Sequence, residues 1–164
     1  MNEPEIALTE LYVQPGESVI ASVPVLMRTL LGSCVGLTFL IRRLGVGALC
    51  HPMLPSCPRG RSANVSRTTG RRYVDFAIRD LLRQFDSLGA RRDEVEVKLF
   101  GGADVLIVSN ESSRPTVGAM NCDSALRVLH DEHLSISASC LGGTSGVTIT
   151  FHTGTGEVLL RRLN

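Results

Sequence analysis

The stretch VGLTFLIRRLGVGALCHP, residues 35–52, limits the fold more than any other part of the chain. It reads as two strands, 35–41 and 46–51, joined at Arg42-Arg43-Leu44-Gly45. Neither strand alternates apolar with polar residues as a strand with one wet face does. Both are expected to be substantially buried, paired as a hairpin inside the molecule.

The flanking sequence supplies the cover. Residues 6–14 lean towards a strand closed by Pro15-Gly16-Glu17, and 18–31 continues apolar and β-branched. The clearest helix runs over 73–89. There Val74, Ala77, Ile78, Leu81, Leu82, Phe85 and Leu88 recur at three- and four-residue spacing, and Gly89 is a natural stop. EVEVKLFGG, 94–102, alternates as a strand and ends at a glycine pair. A second helix is expected from Pro115 or Val117 to His130. Three strands with Gly-rich turns at 142–146 and 154–156 complete the chain. Strands, helix, strand, helix, strands predict an α+β fold of layered mixed β-sheets flanked by helices, one domain over 1–164.

Composition narrows the function classes. Aromatics are only 4% and tryptophan is absent, so the core is aliphatic. A stacking platform for single-stranded nucleic acid is disfavoured. Net charge is +1, which gives no global field towards nucleic acid or membrane. No apolar run is long enough to span a bilayer, and MNEPEIALTELYV lacks the basic n-region of a secretory signal. The cysteines are Cys34, Cys50, Cys57, Cys122 and Cys140, an odd set without disulfide-framework spacing. Free thiols in a reducing cytoplasm are expected.

Charge is uneven in one place. Residues 56–71, SCPRGRSANVSRTTGR, form the one clear loop. From Ser56 to Tyr73 the chain carries Arg59, Arg61, Arg67, Arg71 and Arg72 and no acid. Such a stretch is commonly a solvated loop; its functional reading is a docking surface for an acidic partner, since guanidinium forks suit carboxylates. The glycine turns GVGAL, FGGA and LGGTSG match neither dinucleotide nor P-loop patterns.

Two residues carry the chemistry. Cys34 stands in a Gly32-Ser33-Cys34 turn between apolar segments. A free cysteine is commonly a small buried hydrophobe. In this turn, however, the N–H groups of Gly32 and Ser33 can point outward, favour a thiolate and hold an oxyanion. His51 closes the second hairpin strand, and a core histidine satisfied by a carbonyl is its bland reading. If 35–41 pairs with 46–51, Cys34 and His51 reach the same end of one ladder, close enough for a thiolate–imidazolium pair. Zinc is the rival: Cys50, His51 and Cys57 lie close in sequence, with Cys34 a fourth donor. Against it, Cys50 and His51 would face opposite sides of a strand.

Four segments together resemble one family. TLLGSCVGL, GVGALCHPMLP, YVDFAIRDLLRQFDSLGARRDEVEVKLFGGADVL and LGG…VTITFHTGTGEVLLRRL are similar to the CheD family of chemoreceptor glutamine deamidases, over roughly residues 5–162. The resemblance implies a layered cysteine-hydrolase fold, like that of certain deamidating toxins. It implies conversion of receptor glutamine side chains to glutamate, without metal or organic cofactor. The family's nucleophile corresponds to Cys34, its histidine to His51 and its threonine to Thr29. Thr29 would orient His51 through the second ring nitrogen. Chemoreceptor cytoplasmic domains are the implied substrate, and a CheC-type phosphatase is a possible second partner. Arg59, Arg61, Arg67, Phe100, Gly101 and Gly102 are the candidate docking residues. Two departures stand out: Met120 precedes Asn121 where the family usually has arginine, and Val147 follows the late glycines where it tends to be basic. These keep a non-catalytic adaptor that binds receptor or phosphatase in play beside the enzyme and the zinc module.

Overall fold

The computed structural model describes residues 4, 6–60, 64–105 and 114–164. In chain order these contain β1 (Glu10–Tyr12), β2 (Ser18–Ala21), β3 (Leu26–Leu31), β4 (Val35–Ile41) and β5 (Val46–Cys50). A one-turn helix α1 (Arg67–Gly70) and α2 (Val74–Ser87) follow, then β6 (Glu96–Gly101) and α3 (Val117–Asp131). The chain ends in β7 (Ile136–Leu141), β8 (Val147–His152) and β9 (Val158–Arg162). One sheet has the order β2-β5-β4-β6-β7 and the other β1-β3-β8-β9.

The expected hairpin is the centre of the molecule. β4 and β5 pair antiparallel, with Leu37 opposite Cys50 and Ile41 opposite Val46. Gly45 closes it at φ 63, a left-handed conformation that a side chain would disfavour. Every residue of β4 and β5 is buried. The reason is a layer on each face. Leu37, Phe39, Ile41, Ala48 and Cys50 turn towards α2 and α3, where Ala77, Ile78, Leu81, Phe85 and Val128 meet them. Leu40, Leu49 and Phe100 turn the other way, onto Met27, Leu31, Ile149 and Phe151 of the second sheet. The result is three layers, helices on sheet on sheet. Each such side chain withdrawn from water contributes about 1.5–3 kcal/mol before the entropy of ordering it. The helices cover the five-stranded sheet alone, so the outer face of the other sheet leaves Tyr12, Leu30 and Leu159 exposed.

Three local expectations change. The strand-like run 18–31 is two strands in different sheets, parted at Ser22-Val23-Pro24. Pro24 has no N–H to donate to a ladder, and Thr153 secures the crossing: its Oγ1 accepts from Val25 N (2.9 Å). The strand expected over 6–14 shortens to β1. The loop 56–71 contains α1, capped by Ser66, whose Oγ accepts from Thr69 N (3.3 Å). That loop is also tethered: Arg67 and Arg71 reach the buried carboxylate of Asp80 on α2, at 2.8 and 3.3 Å.

Candidate active site

The turn bearing Cys34 is where the chain passes from one sheet to the other. β3 ends at Leu31 in the four-stranded sheet, and β4 begins at Val35 in the five-stranded one. β5 returns beside β4, and the ladder continues past its end: Val35 N donates to Pro52 O (3.3 Å). Cys34 and His51 thus share one end of one hairpin, as the register required. Cys34 is half-buried and packs against the cluster between the sheets. Cys50 lies in the opposite layer, against the helices. His51 turns towards the second sheet, where it meets Thr29. The two neighbours do face opposite sides, so Cys50 and His51 cannot converge on one ion. Among the described residues no three His, Cys, Asp or Glu side chains gather as metal ligands.

The His51 backbone is held on both sides. Its N–H donates to Glu17 O (2.9 Å), and its carbonyl accepts from Gly16 N (2.7 Å). Thr29, fully buried on β3, fixes the ring. The Thr29 hydroxyl donates its one proton to Val13 O (2.7 Å). The 2.7 Å contact between Thr29 Oγ1 and His51 Nδ1 is then a bond donated by Nδ1–H. This assigns the tautomer: Nε2 carries the lone pair and is the nitrogen able to take a proton. Burial drives the His51 pKa down to about 4, with the Val13 carbonyl working against that shift. Burial also raises the Cys34 thiol, opposed by the residue's own N–H. Both displacements favour the uncharged forms, thiol and imidazole. The thiolate–imidazolium pair expected from sequence thus has burial working against the charge on both groups.

The turn itself is clamped from behind. Gly32 O accepts from Ala103 N (2.9 Å), Cys34 O from Gly102 N (2.8 Å), and Ser33 O from Asn121 Nδ2 (2.9 Å). In a trans peptide the N–H points opposite to the preceding carbonyl. With the Gly32 and Ser33 carbonyls tied towards 103 and α3, the Ser33 and Cys34 N–H groups point the other way. They lie on the side of the turn away from the clamp, in place of the Gly32 and Ser33 N–H groups expected there from sequence. Gly101 (φ 99) and Gly102 (φ 67) allow the close approach: a Cβ on Gly101 would strike the Cys34 carbonyl, and one on Gly102 the Cys122 sulfur. Phe100 is buried between the sheets. Phe100, Gly101 and Gly102, read from sequence as docking residues, are therefore buried, the two glycines packed behind the Cys34 turn.

The remaining candidates are scattered. Arg59 is exposed in the 56–60 segment, Arg67 is paired with Asp80, and Arg61 lies outside the described residues. Val147 is buried between the sheets, whereas Met120 is exposed on α3. Two participants were absent from the sequence-based set: Val13, through its carbonyl, and Asn121. The second had a signal. Gly118, Asn121, Ala125, Val128 and Leu129 form the buried stripe of α3, and an asparagine within such a stripe needs partners.

Comparison with known proteins identifies the family. The family model for CheD chemotactic sensory transduction matches residues 53–162. The chain belongs to the CheD family. A Geobacter sulfurreducens protein named probable chemoreceptor glutamine deamidase CheD 2 is 42% identical, over 96% of this chain and 92% of its own length. Proteins named probable chemoreceptor glutamine deamidase CheD from Maridesulfovibrio salexigens and Methanococcus maripaludis are each 34% identical. The first match covers 95% of this chain and 93% of the relative, the second 93% and 94%. The family model begins two residues beyond His51, whereas these CheD relatives align over nearly the whole chain. Among the described residues no helix is long and apolar enough to cross a membrane.

Proposed function

We propose that this CheD protein is a chemoreceptor glutamine deamidase, one domain over 1–164, with Cys34 as nucleophile, His51 as base and acid, and Thr29 as the residue that positions His51. The observation that carries the reading is the Val13–Thr29–His51 chain, which leaves His51 Nε2 unprotonated at the end of the ladder that holds Cys34. As Sγ attacks the carboxamide carbon of a substrate glutamine, Nε2 takes the thiol proton. The oxyanion meets the Ser33 and Cys34 N–H groups, each such donor contributing about 3 kcal/mol in the transition state. The C–N bond breaks as His51 returns the proton to the leaving nitrogen, and ammonia departs. Nε2 then takes a proton from water, whose oxygen attacks the thioester. The C–S bond breaks, the sulfur regains its proton, and the side chain leaves as glutamate.

The names of the relatives support chemoreceptors as substrate, and the proposed site of reaction is the receptor cytoplasmic domain. Exposed Arg59 and the loop around it are the side offered to an acidic surface. A CheC-type phosphatase as second partner belongs to the same proposal, tested by co-purification from the host. The deciding experiment incubates purified protein with receptor cytoplasmic fragments and maps the products by mass spectrometry. The expected result is amide-to-acid conversion at specific glutamines, absent with Cys34→Ala and with His51→Ala. Unchanged fragments with the unmodified protein would sink the assignment.

A further inference from the structure

The two strands that present Cys34 and His51 belong to one hairpin, whose open end leads into the 32–34 turn on one side and the 51–55 segment on the other. One side chain spans that end. Asn121 on α3 is fully buried. Its Nδ2 donates to Ser33 O (2.9 Å), in the nucleophile turn, and to Met53 O (3.0 Å), two residues past His51. Two donors on one nitrogen meet two carbonyls, which fixes the amide's orientation. Its Oδ1 is buried without a hydrogen-bond partner among the described residues. An unpaired buried acceptor is unfavourable, so an asparagine here is explained by the two bonds from its nitrogen rather than by packing. A second tie of the same sense runs from the same helix, where Ser124 Oγ donates to Pro55 O.

We infer that Asn121 is a positioning residue that sets the separation of Cys34 and His51, a role resting on the deamidase reading above. The amide holds the turn before β4 and the segment after β5 at a common anchor. Displacement of either by about 1 Å is enough to reduce turnover on the order of 10²-fold. Asparagine is suited to this because a single planar nitrogen carries both donors. The isosteric Asn121→Asp turns acceptors towards both carbonyls, and Asn121→Ser is too short to reach both.

The test compares unmodified protein, Asn121→Asp and Asn121→Ser, with folding followed by circular dichroism. Two readouts are used: kcat and KM on receptor fragments, and the rate at which iodoacetamide alkylates Cys34. The expected result is a fall in kcat of roughly 10²-fold with KM changed far less, and a parallel fall in alkylation. In a His51→Ala background the Asn121 changes should have no further effect on alkylation, because the pairing that Asn121 preserves is then already gone. A merely structural role would slow both backgrounds alike, and that outcome overturns the inference. So does an unchanged kcat in a folded variant, and so does failure of both variants to fold, which would make Asn121 a core-stability residue. If the unmodified protein deamidates no receptor, the functional reading fails while the alkylation comparison still judges Asn121.

Discussion

Cys50 and His51 are consecutive in the chain and belong to different worlds. Cys50 faces the helices within their apolar cluster, and burial, with a smaller push from the Asp80 charge, raises its thiol to about 12. His51 faces the second sheet, where a threonine and a carbonyl order its ring. Cys34, in the His51 layer, is only half-buried. The same element type, a thiol on or beside a central strand, is inert filler on one face of the sheet and the candidate nucleophile on the other. The difference lies in polar neighbours and access, not in the residue. Burial in an apolar layer beside a carboxylate charge disfavours the thiolate of Cys50.

Four experiments would break or sharpen that contrast. The largest effect is expected from Cys34→Ala and His51→Ala. Deamidation of receptor fragments should fall by at least about 10³-fold, while Cys50→Ala leaves kcat nearly unchanged. Comparable losses from the Cys50 and Cys34 variants would erase the distinction between the layers.

Next in size is Thr29→Val. It keeps the shape but leaves His51 Nδ1–H and the Val13 carbonyl unpaired and releases the tautomer. A drop in kcat of about 10²-fold is expected, with recovery in Thr29→Ser, which restores the hydroxyl. Equal loss in the serine and valine variants would mean that packing, not the hydroxyl, is what matters.

The third is a pH effect on stability. The His51 pKa is lowered from 6.5 to about 4 by folding, so the unfolded chain binds this proton first as pH falls. The folded state therefore loses stability from about pH 6.5 downward until about pH 4, on the order of 3 kcal/mol for this group. Denaturant titrations of the unmodified protein and His51→Gln across that range should diverge in slope. Parallel curves would mean that His51 titrates normally. The same lowered pKa places the acid limb of kcat/KM near pH 4 rather than 6.5.

The smallest effect is expected on the helix side. Cys50→Ala removes one buried sulfur from a close-packed layer and should reduce stability by about 1 kcal/mol, read as a shift in denaturation midpoint. A much larger loss would show that Cys50 does more than fill space.

How much of this was legible in the chain depends on the range of the interaction. Local pattern sufficed for the hairpin, because unbroken apolar runs around a left-handed glycine leave a buried antiparallel pair as the natural solution. It sufficed for α2 and α3, whose apolar spacing is helical. It also put Cys34 and His51 at the same end of the hairpin, since antiparallel register is simple arithmetic once the strands are set. The break at Pro24 and the helix inside 56–71 were less visible: one depends on which sheet each half joins, the other on arginines that find Asp80 on α2.

The sequence by itself therefore determined the central hairpin, the two long helices and the two residues at the hairpin's end, because these follow from side-chain period and neighbouring positions. Only the tertiary structure decided which face of the hairpin is chemical. The Val13–Thr29–His51 chain joins three separate segments, and Asn121 ties a helix to two others. The push of Cys34 and His51 towards their uncharged forms was equally hidden. It arises from desolvation, which depends on what the rest of the chain packs around them.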